Sequence, residues 1–432
     1  MRVLHFRMLC DTGGVSSSMQ LLGRELERRG VQCEYWFCQS SPRLQEFLDT
    51  GRATLGPLSQ LVRRLERGEF DVVHMTATDP AAPVVARLAT RYGARVVVTA
   101  RGALADVWDR TTCFAYTAIS QGMAEVNQPY TDLEIEVVRN AIDVDRFTPP
   151  NASATADASS GAGNGAPIVA FAGRTTSAEK DFPRFTRVAR RLVERGARVW
   201  IADPHARTWE TFAGQPVEQL PVERWGPVPH AEMPDFYRAV ATSGGVVLMT
   251  SRSEGFGNVA PEAAACGARV AAPDVMGLRE AVVDGVTGRL FAADASDDTV
   301  ADLLHGWMQA PHDPQAVSDV TRATFSASVL AERYLAIYGR REQRLAATRP
   351  APAPFREREL LLQHLERQRG WRASFARGSA VELAIAGYAK EALDALGVAF
   401  RSAPREFLRV GSLRQLVVAG RHVVARPRPV RA

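Results

Sequence analysis

This chain of 432 residues has almost no lysine, few cysteines and no long apolar run. Its 53 basic residues include only two lysines, Lys180 and Lys390, so the other 51 are arginines. The five cysteines form no Cys-x-x-Cys pair, which argues against a disulfide framework or a zinc site and predicts reduced thiols. No apolar run approaches the ~20 residues that a membrane span needs, and the first residues are typical of a strand rather than a signal peptide. We therefore expect a cytoplasmic protein.

Length and composition predict two α/β domains. A chain of 432 residues is longer than one hydrophobic core usually accommodates, and a hydrophobic fraction of 46% is enough to form large buried cores. Over residues 1–150, short β-type runs alternate with amphipathic helical stretches, as in a helix-covered parallel sheet, and a second such series covers 167–330. Residues 151–166 contain no large apolar side chain and are predicted to form a flexible linker. The predicted strands are 3–6, 33–37, 71–75, 95–99, 114–119, 135–138, 168–173, 197–202, 245–249 and 269–272.

The last part of the chain has a different composition. We expect a closing helix over 331–348 and a basic helical extension over 349–432. From Gly397 onward, eight arginines stand against one acid, Glu406, among apolar side chains. Such a tail fits contact with an anionic membrane surface or an acidic protein partner, and it equally fits a solvated extension. The net charge of +5 does not indicate nucleic-acid binding, because the excess lies in this tail, which lacks a stacking platform.

Two glutamates eight residues apart, Glu254 and Glu262, form the most specific pattern in the chain. An apolar β-type run precedes them and a strongly helix-forming stretch follows, so the pair brackets a strand-to-helix turn. A helix N-terminus favours a phosphate, and glycines let a ligand approach the backbone closely. The turn residues are therefore candidates for ligand contact: Gly255, Phe256, Gly257 and Asn258. The carboxylates would repel a diphosphate but can accept hydrogen bonds from sugar hydroxyls. For either glutamate alone, an ordinary loop or helix-start charge is the alternative.

Two cations, Arg174 and Lys180, lie six residues apart in a polar turn after the first strand of the second series. The arginine fork suits bidentate phosphate contact, and the lysine is a compact point charge. Because nearly every other basic residue is arginine, a lysine here indicates that the head group matters. Ordinary surface charges are the alternative.

In the first series, Gly13 and Gly14 follow a strand. Their backbone N–H groups can face a phosphate there, or the two glycines can simply form a tight turn.

Together these segments resemble the retaining, GT-B-fold glycosyltransferases of family 4, over about residues 1–345. Glu254 and Glu262 match the family's Glu-x7-Glu element. The turn with Arg174 and Lys180 resembles its Gly-Arg…Glu-Lys-Gly segment and departs from it at Asp181, where the family often has glycine. The resemblance implies two Rossmann-like, doubly wound domains facing a cleft, with an acceptor-side first domain and a nucleotide-sugar-binding second domain.

The resemblance also implies roles for individual residues. The donor diphosphate would be held by Gly13, Gly14, Arg174 and Lys180. Glu254 would bind the sugar hydroxyls, Glu262 the ribose, and the backbone of Val228 the base. The residues expected to take part in catalysis are Arg174, Lys180, Glu254 and Arg101.

Four first-domain residues qualify the resemblance. Arg101 stands where many relatives carry a histidine that faces the donor sugar; it stays protonated, so it can contact anions or hydroxyls but cannot act as a general base. His74 ends a predicted strand, where it either faces the cleft or is a satisfied core histidine. Asp143 and Asp145 form an Asp-x-Asp, but they match a structural segment of the family, so no metal is predicted.

The sequence thus predicts a retaining, metal-independent, hexosyltransferase-type glycosyltransferase. It would move a sugar from a nucleoside-diphosphate sugar, without a further cofactor, to an acceptor hydroxyl on a glycan, a lipid-linked glycan or a small natural product. The basic tail would allow contact with the inner membrane face. The alternatives are a GT-B-fold sugar-nucleotide epimerase, which needs acid–base groups around the sugar, and a non-catalytic GT-B partner protein, which should have lost part of the charged set.

Overall fold

The three-dimensional structure is a computed structural model. It describes residues 1–10, 14–41, 44–102, 108–150, 165–203, 220–341 and 389–403, together with Ala373, Ala376, Ala380 and Leu383. The chain divides into two compact units, the first made of Met1–Val138 with the residues from Ala331 onward, the second of Arg139–Leu330. Gly13, most of the predicted linker and most of the basic extension lie outside the described residues. Within the described part, no helix has the length and apolar character needed to span a bilayer.

The first unit is built on a parallel sheet of seven strands. They are β1 (Arg2–Leu9), β2 (Gln32–Gln39), β3 (Ala53–Leu55), β4 (Val72–Thr76), β5 (Arg95–Ala100), β6 (Ala115–Ala118) and β7 (Ile135–Val137). Their order across the sheet is β3-β2-β1-β4-β5-β6-β7. Every residue of β4 is buried, as expected for a central parallel strand covered on both faces.

Amphipathic helices connect these strands. They are α1 (Gly14–Arg28), α2 (Leu44–Leu48), α3 (Leu58–Glu66), α4 (Ala82–Arg91) and α5 (Gln121–Asn127). In α3 the buried apolar residues Leu58, Leu61, Val62 and Leu65 follow the spacing of one helix face. Ser120 caps α5, because its side chain accepts a hydrogen bond from a backbone N–H of the first turn.

The second unit has a parallel sheet of six strands. They are β8 (Ile168–Ala172), β9 (Arg198–Ala202), β10 (Val222–Gly226), β11 (Val246–Leu248), β12 (Arg269–Pro273) and β13 (Arg289–Phe291). Their order is β10-β9-β8-β11-β12-β13, so the winding reverses between β8 and β11. In doubly wound sheets, ligands bind beyond the carboxyl ends of the strands at such a switch point.

Helices of the second unit pack on this sheet. They are α6 (Phe182–Val193), α7 (Met233–Thr242), α8 (Val259–Ala265), α9 (Leu278–Ala281), α10 (Asp297–Gln309) and α11 (Pro314–Phe325). Phe171 of β8 contacts the rings of Phe182 and Phe185 on α6, with centroids 5.0 and 5.1 Å apart. All three are almost completely buried, so this aromatic cluster fixes where α6 begins relative to the end of β8.

The described chain beyond α11 contains further helical segments. They include α12 (Ala327–Tyr338), whose residues from Ala331 onward belong to the first unit, and α13 (Ala389–Ser402). α13 packs against α4, where Arg91 forms an ion pair with Asp394. The Tyr92 hydroxyl beside it donates to Glu391 at 2.7 Å. The described part of the C-terminal extension therefore packs on the first unit.

The predicted strands are all present, with ends shifted by up to three residues; the strand predicted at 3–6, for example, extends over Arg2–Leu9. The short strands β3, β10 and β13 were not predicted. The units also meet at 138/139, before the predicted boundary near residue 150. Local sequence cannot fix such a boundary, because it depends on which unit each connecting residue packs against.

A buried polar network connects α12 to the first sheet. His74 Nδ1 lies 2.6 Å from the Tyr338 hydroxyl, and His74 Nε2 lies 2.7 Å from Thr99 Oγ1. The Tyr334 hydroxyl reaches the same threonine at 2.8 Å. Both ring nitrogens of His74 are thus occupied within the core. This geometry favours the core-histidine alternative over a ligand-facing one.

Two histidines of this core resist protonation. Burial lowers the pKa of His74 well below its usual value, and the charges of His5 and Arg101 act in the same direction. Burial also lowers the pKa of His5, which stacks on Tyr35, to about 4.

We expect the first unit to lose stability as the pH falls from about 6.5 towards 4, because unfolded histidines bind protons that buried His5 and His74 do not. The loss from each approaches a limit of about 1.4 kcal/mol per pH unit in the middle of that window, where the unfolded histidine is protonated and the folded one is not. The measurement is the urea midpoint of unfolding between about pH 7.5 and 5. His5→Phe keeps a ring against Tyr35 and should remove about half of the dependence on pH. An unchanged pH dependence in this variant would contradict the assignment.

Candidate functional site

The charged candidates of the second unit lie on two loops that leave adjacent strands. Lys180 ends a short 3-10 turn, Ala178–Lys180, that follows β8, and Glu254 lies between β11 and α8. Because β8 and β11 are neighbours at the switch point, their following loops emerge side by side. Residues far apart in sequence are therefore brought to one edge of the sheet.

Lys180 and Glu254 form an ion pair in which Nζ donates to Oε1. The same oxygen accepts a hydrogen bond from Ser251 Oγ at 2.8 Å. The two charged side chains are 18% and 14% exposed, so they are shielded from solvent yet reachable. An ammonium group has three N–H donors, and two remain after the bond to Glu254. Among the described residues, none donates a hydrogen bond to Glu254 Oε2, which leaves an acceptor beside those donors.

Further hydrogen bonds join the two loops. Thr250 Oγ1 lies 2.9 Å from the carbonyl oxygen of Lys180 and 3.0 Å from that of Asp181. The backbone N–H of Arg252 donates to the carbonyl of Glu179 at 2.8 Å. The position of Lys180 beside Glu254 is therefore set by the backbone as well as by the ion pair.

Asp181 adopts a left-handed backbone conformation, with φ 43° and ψ 50°. Among the described residues it is the one non-glycine with positive φ, a region that costs most L-residues roughly 1–2 kcal/mol. Its side chain caps α6 by accepting from the N–H of Arg184 at 3.4 Å, and it pairs with Arg252 at 3.0 Å. Glycine, which family 4 often has here, enters this region freely. Asp181 therefore differs from the family's usual glycine in its side chain but has the backbone conformation that suits glycine.

Arg174 lies in a turn fixed by a buried carboxylate. The N–H and Oγ1 of Thr175 both donate to Asp203 Oδ2, at 2.9 and 2.6 Å. Arg174 itself is exposed, and its guanidinium has no hydrogen-bond partner among the described residues. Asp203 was not identified from the sequence, although an acid directly after the strand predicted at 197–202 was the available signal.

In the glycine-rich turn before α8, some residues are partly exposed and others are packed against neighbouring side chains. Gly257 has φ 89°, and a Cβ there would lie 2.5 Å from Leu278 Cδ2, so only glycine fits without rearrangement. Phe256 is 2% exposed and packs edge-on against Phe325. Its side chain therefore belongs to the core, and ligand contact at this residue stays a prediction for the backbone alone. Asn258 Oδ1 accepts from Asn140 Nδ2 at 2.9 Å, whereas Gly255 is half-exposed.

The structure brings Glu262 close to the segment that contains Val228. Glu262 Oε1 lies 3.8 Å from His230 Nε2, and His230 is two residues beyond Val228. The Glu262 side chain is 15% exposed and that of His230 is 42% exposed. The other ring nitrogen of His230 lies 3.1 Å from Arg146 Nη1. His230 was missed by sequence reasoning, because its proximity to Glu262 depends on the fold.

For the first-unit residues predicted to contact a ligand, the structure gives position and exposure but little more. Gly14 begins α1 and is exposed. Arg101 follows β5 and is half-exposed, close enough to His74 to influence its pKa. Contact of Gly13, Gly14, Arg101 or His74 with a ligand stays a prediction, and the buried position of His74 disfavours it.

Two family models of known proteins match this chain. A family model described as Glycosyltransferase Family 4 matches residues 12–146, and one described as Glycosyl transferases group 1 matches residues 166–309. The chain resembles the family 4 glycosyltransferases in both halves of its sequence. Its two Rossmann-like sheets give it the GT-B class of fold.

Individual relatives support the same family. A D-inositol 3-phosphate glycosyltransferase of Mycolicibacterium smegmatis is 33% identical over 237 residues, which cover 51% of this chain and 50% of the relative. One from Frankia alni is 44% identical over 86 residues, covering 20% of each protein. The chain thus spans between a fifth and a half of the length of these curated relatives.

Solved structures share the fold of this glycosyltransferase-like chain. A glycosyltransferase from Rickettsia africae superposes with a TM-score of 0.62 at 16% identity, covering 78% of this chain and 97% of that one. The Anabaena protein HepE, in complex with UDP-glucose, gives a TM-score of 0.61 at 16% identity, with 78% and 98% covered.

Substitutions at Asp181 test the account of the loop conformation. Asp181→Ala loses the helix cap, worth about 1 kcal/mol, and keeps the backbone strain. Asp181→Gly loses the same carboxylate but relieves the strain. We expect the glycine variant to be more stable than the alanine variant by about 1 kcal/mol in chemical denaturation. An alanine variant as stable as the glycine variant would contradict the left-handed conformation.

Proposed function

We propose that this chain is a retaining, metal-independent glycosyltransferase that transfers a hexose from a nucleoside-diphosphate sugar to an acceptor hydroxyl. The observation that carries the proposal is the Lys180–Glu254 pair at the β8–β11 switch point. A cation with spare donors beside a carboxylate with a spare acceptor complements a ligand in which phosphate and sugar are adjacent.

The donor would be bound by groups with distinct tasks. Lys180 and the exposed Arg174 would contact the diphosphate, each charged hydrogen bond contributing about 1.5–3 kcal/mol. Glu254 Oε2 would accept from a sugar hydroxyl. Glu262 would accept from the ribose, with the backbone of Val228 beside the base, and the proximity of Glu262 to His230 supports this pairing. The UDP-glucose bound by HepE supports a nucleotide-sugar donor for the fold.

The reaction would proceed on one face of the sugar. The bond between the anomeric carbon and the diphosphate breaks, and the diphosphate leaves with the electron pair. The acceptor oxygen bonds to the same face and gives its proton to a departing phosphate oxygen. Lys180 and Arg174 would stabilise the charge that develops on the leaving group, an effect that counts most in the transition state. Glu254 is already engaged by Lys180, which suits hydroxyl binding better than nucleophilic attack.

The acceptor would be a glycan, a lipid-linked glycan or a small natural product. Relatives named for inositol 3-phosphate support a hydroxyl-rich acceptor, although the chain spans only part of their length. We place the reaction in the cytoplasm, with peripheral contact to a membrane or a protein through the basic tail. An epimerase is less favoured, because His74 is buried with both ring nitrogens bonded. A non-catalytic partner protein is less favoured because all four charged donor residues are present.

Nucleotide binding tests the donor site. Calorimetric titration with a panel of nucleoside diphosphates and their sugars should reveal one preferred nucleotide. Lys180→Ala should weaken its binding by about 10- to 100-fold, because one or more charged hydrogen bonds are lost. Glu262→Ala should also weaken binding of the nucleotide, because the proposed hydrogen bond from the ribose to Glu262 is lost. The chain supplies a matched control in Lys390→Ala, which removes the other lysine, an exposed one. A folded wild-type protein that binds no nucleotide would refute the proposal.

The stereochemical course tests the chemistry. With the preferred donor and a hydroxyl acceptor, the product should keep the anomeric configuration of the donor, which proton NMR coupling constants report. The rate should be unaffected by a chelator of divalent cations, because the departing diphosphate would be stabilised by Arg174 and Lys180. An inverted product, or activity that the chelator removes and added magnesium or manganese restores, would contradict this mechanism.

A further inference from the structure

A second candidate site lies in the first unit, where α13 packs against α4. The pocket has a volume of about 60 Å³, which holds several waters or one tetrahedral oxyanion. Pro83 and Arg87 of α4 line one side, and Val398, Arg401 and Ser402 of α13 line the other. The pocket is therefore completed by the described part of the C-terminal extension.

Two arginines, Arg87 and Arg401, line this pocket, and neither forms a hydrogen bond or an ion pair with a described residue. Burial lowers the pKa of Arg87, and the charge of Arg401 lowers it further, against opposite effects from Asp109 and Asp394. Partly buried like charges are costly unless a group of opposite charge lies between them.

Two buried donors line the same pocket. Trp108 and Ser402 are 3% and 5% exposed, and neither Trp108 Nε1 nor Ser402 Oγ has a hydrogen-bond partner among the described residues. A buried donor left unpaired costs about 1–3 kcal/mol, so such atoms in a native protein usually have a partner. The indole and both guanidinium groups can donate hydrogen bonds but cannot accept them, so the missing partner is an acceptor.

The pocket also contains one acid, Asp109, whose hydrogen bonds are made within its own turn. Asp109 Oδ1 accepts from the N–H and Oγ1 of Thr111, at 2.9 and 2.7 Å, and from Oγ1 of Thr112 at 2.9 Å. Its charge offsets one of the two arginines, so the lining retains a net positive charge. These bonds leave the indole, the serine hydroxyl and the guanidinium groups to a ligand.

We infer that this pocket binds a phosphate-sized oxyanion, either inorganic phosphate or the phosphate group of a phosphomonoester. The anion accepts from the indole and the serine hydroxyl and lies between Arg87 and Arg401. Because one arginine comes from α4 and the other from α13, the anion connects the two helices. The site shares no residue with the proposed donor site, whose Arg174, Lys180, Glu254 and Glu262 lie in the second unit.

The indole of Trp108 reports on this pocket alone. In full-length protein with ¹⁵N-labelled tryptophan, Trp108→Phe identifies its indole N–H resonance among those of the seven tryptophans. Titration with inorganic phosphate, at constant ionic strength maintained with chloride, should shift this resonance in a saturable way. A parallel titration with glycerol phosphate distinguishes a free anion from a phosphomonoester, according to which binds more tightly.

Variants decide whether the arginines hold the anion. Arg87→Gln and Arg401→Gln should each weaken binding by about tenfold or more. Arg110→Gln, which removes an exposed charge next to the pocket, should change it little. Arg401 is exposed, so its variant is expected to fold, which the unchanged remaining indole resonances would verify. A Trp108 resonance that neither phosphate compound shifts would overturn the inference. So would phosphate binding in both glutamine variants with the affinity of the wild-type protein.

Discussion

The ion pair between Lys180 and Glu254 is the interaction on which the candidate site depends. It joins the loop after β8 to the loop after β11, the two strands between which the winding of the sheet reverses. The aromatic cluster of Phe171 with α6 fixes one loop, and Thr250 fixes the other against it. Strand order, core packing and backbone hydrogen bonds therefore all act to place one ammonium beside one carboxylate.

This arrangement explains how opposite charges serve one ligand. A cation alone would suit any phosphate, and a carboxylate alone would repel it. When the two are paired, the repulsion is reduced, and the remaining donors and acceptor would suit the proposed ligand, which carries phosphates and hydroxyls in sequence. The first unit shows the opposite situation at the α4–α13 pocket, where two arginines and two buried donors lack an acceptor among the described residues. A satisfied ion pair and an unsatisfied set of donors thus indicate different ligands in the two units.

The sequence pointed to charged candidates, of which Lys180 and Glu254 do lie together, but it did not point to the residues that support them. Arg174, Lys180, Glu254 and Glu262 were identified because spacing and residue type are local properties. The roles of Asp203 and His230 could not be identified in that way, since each depends on a contact between distant segments. Phe256 lies in a ligand-type turn by sequence, yet its ring is buried against Phe325. The strands β3 and β13 lie at sheet edges and bury little, so their apolar pattern is weak, and charged residues interrupt the edge strand β10.

Hydrogen exchange with and without a saturating nucleoside diphosphate tests the central claim most directly. With uridine, adenosine and guanosine diphosphates tried in turn, the account predicts that the bound one slows exchange together in the loop after β8, around Arg174 to Asp181, and in the loop after β11, around Ser251 to Asn258. Protection of both loops would show that one ligand engages the two sides of the switch point. Binding that protects neither loop, and slows exchange elsewhere instead, would contradict the assignment of the Lys180–Glu254 pair to the donor site.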